Sequence, residues 1–350
     1  MANDHKRNLP DIGYVSAGAV STLDLPRDNV MKQIGLMLKL DQATATTPAS
    51  GTEPDQGILA AIRRLEIVAD GALTLWSLDP ASLYALNCLW NGSVAQRDDL
   101  APPGGSSSST LQAYLQIPFA LPFSEKPNVT LLNAQALSSL QLRITWGGVS
   151  DLYQTVANTT ISTTTLVSVE SHEIVGLSPK SRFSAFKVSQ ITKDVTAASS
   201  NMEIDLPRGN ILRALLIKAR ITTNSVEDQV DTILNEIRLE SSELGRGPFV
   251  HRKIRCTDTN GTARDGYHVR NSARLLYGLN DQFAVETGQQ DFDLTGFYPV
   301  EFMEDQRLTS PIRTQPFTSL KQILDVSAPS GSPQLITTVM EIIPAARPAA

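Results

Sequence analysis

The chain has 350 residues, of which 41% are hydrophobic and 19% charged, a composition typical of a folded protein with sizeable cores. Its formal net charge of -6 argues against a protein whose main task is to grip nucleic acid, because such proteins carry a basic excess. We therefore expect no specific nucleic-acid binding. No apolar run approaches the roughly 20 residues that cross a bilayer, and the first residues lack the apolar stretch of a signal peptide.

The N-terminal residues 1–14 are predicted to form an arm that precedes the first domain. They contain a small basic cluster in which Lys6 and Arg7 follow a histidine. Terminal segments of this kind are usually ordered by a partner, so Lys6 and Arg7 are candidates for contact with a neighbouring subunit or a lipid surface.

The segment "LDLPRDN" (23–29) comes next and opens the hydrophobic run "VMKQIGLMLKL" (30–40). The end of this run alternates apolar and polar residues, which predicts a strand with Pro26 at its beginning, where the missing N–H is tolerated. Arg27 has two interpretations. It makes a contact between subunits, or it is a solvated charge at a strand end that contributes little energy.

A short helix is predicted within "DPASLYALN" (79–87), because Asp79 is a good N-cap and Pro80 suits the first helical position. The segments "LQLRITW" (140–146) and "TLVSVESHEIV" (165–175) alternate and are rich in β-branched residues, so they are predicted as strands. Cys88 and Cys256, the two cysteines, belong to no C-x-x-C motif and are expected to be buried free thiols.

The first motif then returns as "IDLPRGN" (204–210), again before a hydrophobic run, and it places Arg208 where Arg27 stands. Further segments repeat in the same order, which predicts a tandem duplication. The matched pairs are 30–40 with 211–221, 58–66 with 233–240, 83–87 with 276–280, 114–119 with 296–302, 137–147 with 317–327, and 172–175 with 340–343.

The repeat predicts an all-β chain with two tandem domains. Each has about the length of an eight-stranded jelly-roll β-barrel and carries one short inserted helix, the second within "NSARLLYGLN" (271–280). The predicted boundaries are a first jelly roll at 15–175, a linker at 176–189, a second jelly roll at 190–345 and a C-terminal tail at 346–350.

The sequence offers no motif that predicts catalysis, a cofactor or a metal ion. The four histidines form no zinc-binding spacing, and a metal pair between His251 and His268 is not favoured. The loop "DTNGTARDG" (258–266) lacks the final glutamate of a calcium loop and is interpreted as tight turns.

Two tandem jelly rolls with equivalent helices, an acidic chain and no enzyme motif resemble the double jelly-roll major capsid proteins of tailless icosahedral bacteriophages of the tectivirus, corticovirus and finnlakevirus type. This resemblance implies a structural virion protein that forms pseudo-hexagonal homotrimers, assembled in the host cytoplasm into an icosahedral shell. Implied partners are neighbouring capsomers, penton or minor capsid proteins and an internal membrane. It implies no catalytic residue.

Two other functions remain open from the residues alone. A carbohydrate-binding or host-attachment jelly-roll protein would expose aromatic platforms, yet aromatic residues make up only 6% of the chain. A glycan-processing enzyme would need a pair of carboxylates in a cleft, and none of the 36 acidic residues is singled out by its spacing.

Overall fold

The computed structural model describes residues 3–50, 56–91, 96–178, 180–223, 226–244, 248–256, 296–303, 307–327 and 331–345. The chain divides into two compact units. The first contains the residues up to Ser189, and the second begins at Gln190 and runs to Ile343. The short segment Asn224–Glu227 and the residues from Pro344 group with the first unit.

The first unit is built mainly of strands. These are β1 (Asn3–Asn8), β2 (Ile12–Gly13), β3 (Val20–Asp24), β4 (Val30–Thr44), β5 (Ile62–Ala69), β6 (Leu73–Leu78), β7 (Ser107–Pro118), β8 (Leu132–Asn133), β9 (Leu140–Trp146), β10 (Thr159–Ile161) and β11 (Leu166–Val175). Its helices are α1 (Pro80–Asn91) and α2 (Val149–Leu152), with 3₁₀ turns at Gly57–Ala61, Pro127–Thr130 and Ala134–Ala136.

Eight of these strands form two antiparallel sheets. One sheet has the order β1, β11, β4, β7, and the other has the order β3, β9, β5, β6. The chain passes between the two sheets as it runs from β1 to β11, in the topology of an eight-stranded jelly roll. The short strands β2, β8 and β10 extend the first sheet by pairing with β11 or β4.

The alternation seen in the sequence explains why these segments form strands. Along β9 every second residue is buried, beginning with Leu140 and ending with Trp146, and the residues between them are half-exposed. The same pattern runs along β4 and β11, as is expected for sheets with one face on a core and one face in water. The predicted strands at 140–146 and 165–175 are confirmed.

Helix α1 connects β6 to β7 and confirms the helix predicted there. The side chain of Asp79 accepts hydrogen bonds from the backbone N–H of Ser82 at 2.9 Å and from its hydroxyl at 2.8 Å, as an N-cap does. All residues from Pro80 to Leu89 are buried.

The second unit contains β12 (Ala185–Asp194), β13 (Ser199–Asp205), β14 (Ile211–Thr223), β15 (Val226–Gln229), β16 (Leu234–Glu243), β17 (Phe249–Arg255), β18 (Phe297–Glu301), β19 (Ile312–Arg313), β20 (Phe317–Val326) and β21 (Ser332–Ile343), with the first residues of β12 grouped with the first unit. Its sheets have the orders β12, β21, β14, β18 and β13, β20, β16, β17. This is the strand order of the first unit, so the second unit is also a jelly roll, and the predicted fold class is confirmed. The helix predicted at 271–280 and the loop at 258–266 lie outside the described residues.

The predicted arm is wrong for residues 3–8. They form β1, whose backbone pairs with β11 from Asn3 opposite Val175 to Asn8 opposite Glu170. An edge strand that is exposed along almost its whole length needs no apolar alternation, so the hydrophobic pattern could not reveal it.

Part of the predicted linker at 176–189 is also a strand. Residues 185–189 form the first half of β12, in which buried Phe186 and Val188 alternate with half-exposed neighbours. The serine, glycine and proline that indicated a linker lie just before it, between Gly176 and Ser184.

Candidate assembly surfaces

The repeated Asp-Leu-Pro-Arg-x-Asn motif lies at the same corner of each jelly roll. The N–H of Leu25 donates to the carbonyl of Leu140 at 2.9 Å, and the N–H of Leu206 donates to that of Leu320 at 3.0 Å. Each leucine therefore ends the ladder of one strand, and the motif turns the chain into the next. The motif leads into β4 and β14, as predicted for the strand after Pro26, and it follows the earlier strands β3 and β13.

The two motif arginines make equivalent contacts inside their own units. The guanidinium of Arg27 donates to the carbonyl of Leu137 at 2.7 Å, and that of Arg208 donates to the carbonyl of Phe317 at 3.1 Å and also to that of Thr318. Both arginines are exposed. Each one ties the motif to the start of the neighbouring strand β9 or β20. The role in assembly predicted for them stays a prediction.

The motif asparagines contact buried glutamates, a feature that the sequence interpretation missed. The amide of Asn29 donates to Glu173 at 2.7 Å, and that of Asn210 donates to Glu341 at 2.9 Å. Both carboxylates are only 1% exposed. The sequence contained a signal for this contact, because the repeat aligns the two asparagines in one matched segment and the two glutamates in another.

A β-bulge accompanies this pair in both units. The pairing of β11 with β4 skips Lys32 beside Glu173, and the pairing of β21 with β14 skips Arg213 beside Glu341. Bulges bend a strand and redirect side chains at defined positions. The two units therefore share a local irregularity as well as a strand order.

Lys6 and Arg7 are held against the first unit by ion pairs. Arg7 contacts Asp28 at 2.7 Å and Glu173 at 3.3 Å, and Lys6 lies 3.6 Å from Glu170. The hydrogen bond from Arg7 holds the pKa of the Asp28 carboxyl below its ordinary value and raises the pKa of Arg7 itself. The four predicted site residues thus lie in the two jelly-roll units, and Arg7 contacts the residue that follows Arg27.

The strongest candidate for an interaction surface lies at the start of β17 and was not predicted. Phe249 is 61% exposed, the next residue Val250 is 47% exposed, and Leu244 just after β16 is 90% exposed. Phe249 forms one wall of an open groove whose lining also includes Glu243, His251, Ile312, Arg313 and Phe317.

His251 lies in this groove between two aromatic rings, 4.9 Å from the ring of Phe249 and 5.2 Å from that of Phe317. Its Nε2 is 2.7 Å from the hydroxyl of Ser241. Burial lowers the pKa of His251, and this effect outweighs the opposing influence of nearby Glu243. The groove therefore combines two aromatic rings and Ile312 with the charged side chains of Glu243 and Arg313.

Within the described ranges, no group of three or more histidine, cysteine or carboxylate side chains could hold a metal ion. Cys88 and Cys256 are buried free thiols, as predicted. Burial raises the pKa of Cys256 well above its ordinary value, so this thiol is protonated at neutral pH. No helix in the described part of the chain is long and apolar enough to span a membrane.

Two jelly rolls with one strand order, joined in a single chain, define the double jelly-roll class of fold. Solved structures of this class are similar to the chain over nearly its whole length. The crystal structure of the major capsid protein of STIV, Sulfolobus Turreted Icosahedral Virus, shares 14% identity, with 97% of each chain covered and a TM-score of 0.70.

Two further structures show the same likeness. The major capsid protein P2 of bacteriophage PM2 is 15% identical, with 99% of this chain and 100% of that chain covered and a TM-score of 0.55. A structure of the PBCV-1 virus capsid is 10% identical, with 100% of this chain and 97% of that chain covered and a TM-score of 0.58. No protein-family model and no curated protein matches the sequence. At such low identities, the likeness shows the shared fold.

Proposed function

We propose that this chain is a structural virion protein, the major capsid protein of an icosahedral virus, and that it acts by assembly and not by catalysis. The observation that carries the proposal is the duplicated jelly roll, in which the motif contacts of Asn29 with Glu173 recur as Asn210 with Glu341. The full-length likeness to the STIV major capsid protein supports it.

The duplication suits a building block that tiles a surface. Three copies of a chain with two similar domains present six similar faces, so a homotrimer fits a hexagonal lattice with few kinds of contact. In this proposal the partners are two further copies in the capsomer, neighbouring capsomers, and penton or minor capsid proteins. An internal membrane is a further proposed partner, and assembly takes place in the host cytoplasm.

The test is the mass of the purified chain in solution. Light scattering coupled to size-exclusion chromatography should give a particle of three times the 37.9 kDa chain mass, and electron micrographs at high concentration should show lattice fragments. A monomer at every concentration that is retained on a glycan column, or that cleaves a glycan, would overturn the proposal.

A further inference from the structure

We propose that the outer edge of β17 is completed by strand β1 of a second copy of the chain, which covers Phe249. This inference rests on the proposed homotrimer and names the strands that meet in it. It follows from the internal repeat, because the equivalent edge in the first unit is already covered.

Strands β6 and β17 hold the same place in their sheets, at the end beyond β5 and β16. The ladders give the residue correspondence. Glu66 pairs with Ser77 and Glu240 with Val250, and these glutamates are equivalent in the matched segments 58–66 and 233–240. One step along each ladder, Ile67 pairs with Trp76 and Ser241 with Phe249. Phe249 is therefore the counterpart of Trp76.

In the first unit this aromatic residue is completely covered. Trp76 has 0% exposure. Val188 of β12 pairs with it in a parallel bridge, and the ring of Phe186 packs edge-on against the indole at 5.5 Å. The ring of Trp90 in α1 adds a second edge-on contact at 6.4 Å. The start of β12 thus supplies both a backbone partner and an aromatic cover for the edge of β6.

In the second unit the counterpart is open. Phe249 is 61% exposed and Val250 is 47% exposed, whereas Trp76 and Ser77 are buried. Among the described residues, β17 has one strand partner, β16. A sheet edge that exposes large apolar side chains is a template for pairing with another chain.

The repeat also identifies the occupant. The N–H of Tyr14 donates to the carbonyl of Thr165, and the N–H of Val195 donates to that of Pro333, so these two positions are equivalent. Counting back from them by the same number of residues places His5 at the position of Phe186 and Arg7 at that of Val188. Strand β1 is therefore the segment whose place in the repeat matches the start of β12.

The free surface of β1 fits this role. Within the described part of the chain, β1 pairs with β11 along one edge, and it ends the order of its sheet. Its Lys6 side chain is 67% exposed and basic, and the lining of the groove at Phe249 includes the acidic Glu243. Because each copy has one β1 and one β17, this contact joins unlike surfaces, and such heterologous contacts close into a ring when the rotation between copies divides a full turn. A closed ring of three copies is the proposed capsomer.

The test uses two variants of the whole chain with one added cysteine each, Arg7→Cys and Phe249→Cys, one of which carries a mass tag. The native Cys88 and Cys256 are buried and give little background. The two variants are mixed, reassembled and mildly oxidised. A disulfide then forms only where the two Cα atoms lie within about 7 Å. We expect a covalent hetero-dimer from the mixture and much less from either variant alone. A mixture of Arg7→Cys with Leu73→Cys is the matched control, since Leu73 is 45% exposed at the start of β6.

The outcomes separate this inference from the proposed function. A hetero-dimer from the mixture supports the pairing of β1 with β17. Trimers that form normally without this cross-link would overturn the pairing and leave the capsid proposal standing. A cross-link that forms only within one chain of the double variant Arg7→Cys/Phe249→Cys would also overturn it. A chain that never assembles and gives no cross-link would overturn both.

Discussion

Single residues explain why the repeated motif has its form. Glu173 and Glu341 lie on the last strand of each jelly roll and are 1% exposed. A carboxylate is stable in such a place only when hydrogen-bond donors reach it. Asn29 and Asn210 supply one donor each from the corner that follows the proline and arginine. The motif therefore forms a turn and also supplies, through its asparagine, a hydrogen-bond donor to a buried carboxylate.

Replacing Asn29 or Asn210 by alanine should destabilise the corresponding jelly roll. Loss of a donor to a buried carboxylate costs about 1–3 kcal/mol, and the two effects should be nearly additive because the residues share no partner. Urea unfolding followed by circular dichroism measures the change. Asn128→Ala is the control, since Asn128 is exposed on a 3₁₀ turn. Equal stability of all three variants would contradict the role assigned to the asparagines.

The ion pair of Arg7 with Asp28 should make stability depend on pH in the acid range. Because the folded-state pKa of Asp28 is lowered, the unfolded chain takes up the proton first as the pH falls. The stabilisation is complete above the ordinary pKa of about 3.9 and is lost as the pH drops through the folded value. Asp28→Asn should be less stable than the wild type at pH 7.

Unfolding midpoints measured between pH 7 and pH 2.5 test this. The gap between Asp28→Asn and the wild type should narrow below pH 4, and it should be smaller in high salt, because the pair is exposed to solvent. A gap that stays constant over the whole range would show that the carboxylate charge of Asp28 contributes nothing.

At the scale of elements, helix α1 is fixed to strand β7 by one buried side chain. The amide of Asn87 donates to the carbonyl of Gln116 at 2.8 Å and accepts from its N–H at 2.8 Å. Asn87 is 2% exposed. The side chain thereby satisfies both backbone groups of one residue where the helix covers the strand.

Asn87→Ala should cost about 1–3 kcal/mol, because the buried amide of Asn87 is lost and both backbone groups of Gln116 lose their partner. Thermal and chemical unfolding measure the loss. Asn91→Ala at the exposed end of the same helix is the control, and it should change stability by less than about 0.5 kcal/mol. Similar stability of the two variants would mean that water or another donor replaces the amide.

At the scale of the whole molecule, both units have the same order of strands in their sheets. The equivalent corners, bulges and buried glutamates show that the two units share local contacts as well as a topology. The clearest difference lies at the last strand of one sheet, where Trp76 is covered and Phe249 is exposed. We expect self-assembly to use this difference.

The double variant Arg27→Ala/Arg208→Ala should form fewer trimers than the wild type at equal concentration. Each substitution removes the charged donor to the carbonyl of Leu137 or Phe317. Both motif turns therefore lose their hydrogen bond to the neighbouring strand. Because both arginines are exposed, we expect the free energy of unfolding to fall by only about 1–2 kcal/mol.

Light scattering under conditions where every variant is folded measures the trimer fraction. Arg63→Ala is the control, since Arg63 is an exposed arginine whose ion pair with Asp151 is remote in sequence from both motifs. Normal assembly of the double variant would limit the two arginines to a local structural role.

The sequence alone determined the class of fold, the duplication and the first inserted helix. These depend on local chemistry, because side-chain alternation, capping by Asp79 and the repeated motif are properties of neighbouring residues. The match of 30–40 with 211–221 was correct to the residue, since Val30 and Ile211 each begin the equivalent strand.

Only the tertiary structure decided the rest. It showed that residues 3–8 are a strand, because an exposed edge strand is defined by its backbone partner β11 and not by an apolar pattern. It also brought Asn29 to Glu173, which are far apart along the chain. The exposure of Phe249 depends on which strand lies beside it, and a residue's own sequence neighbours do not contain that information.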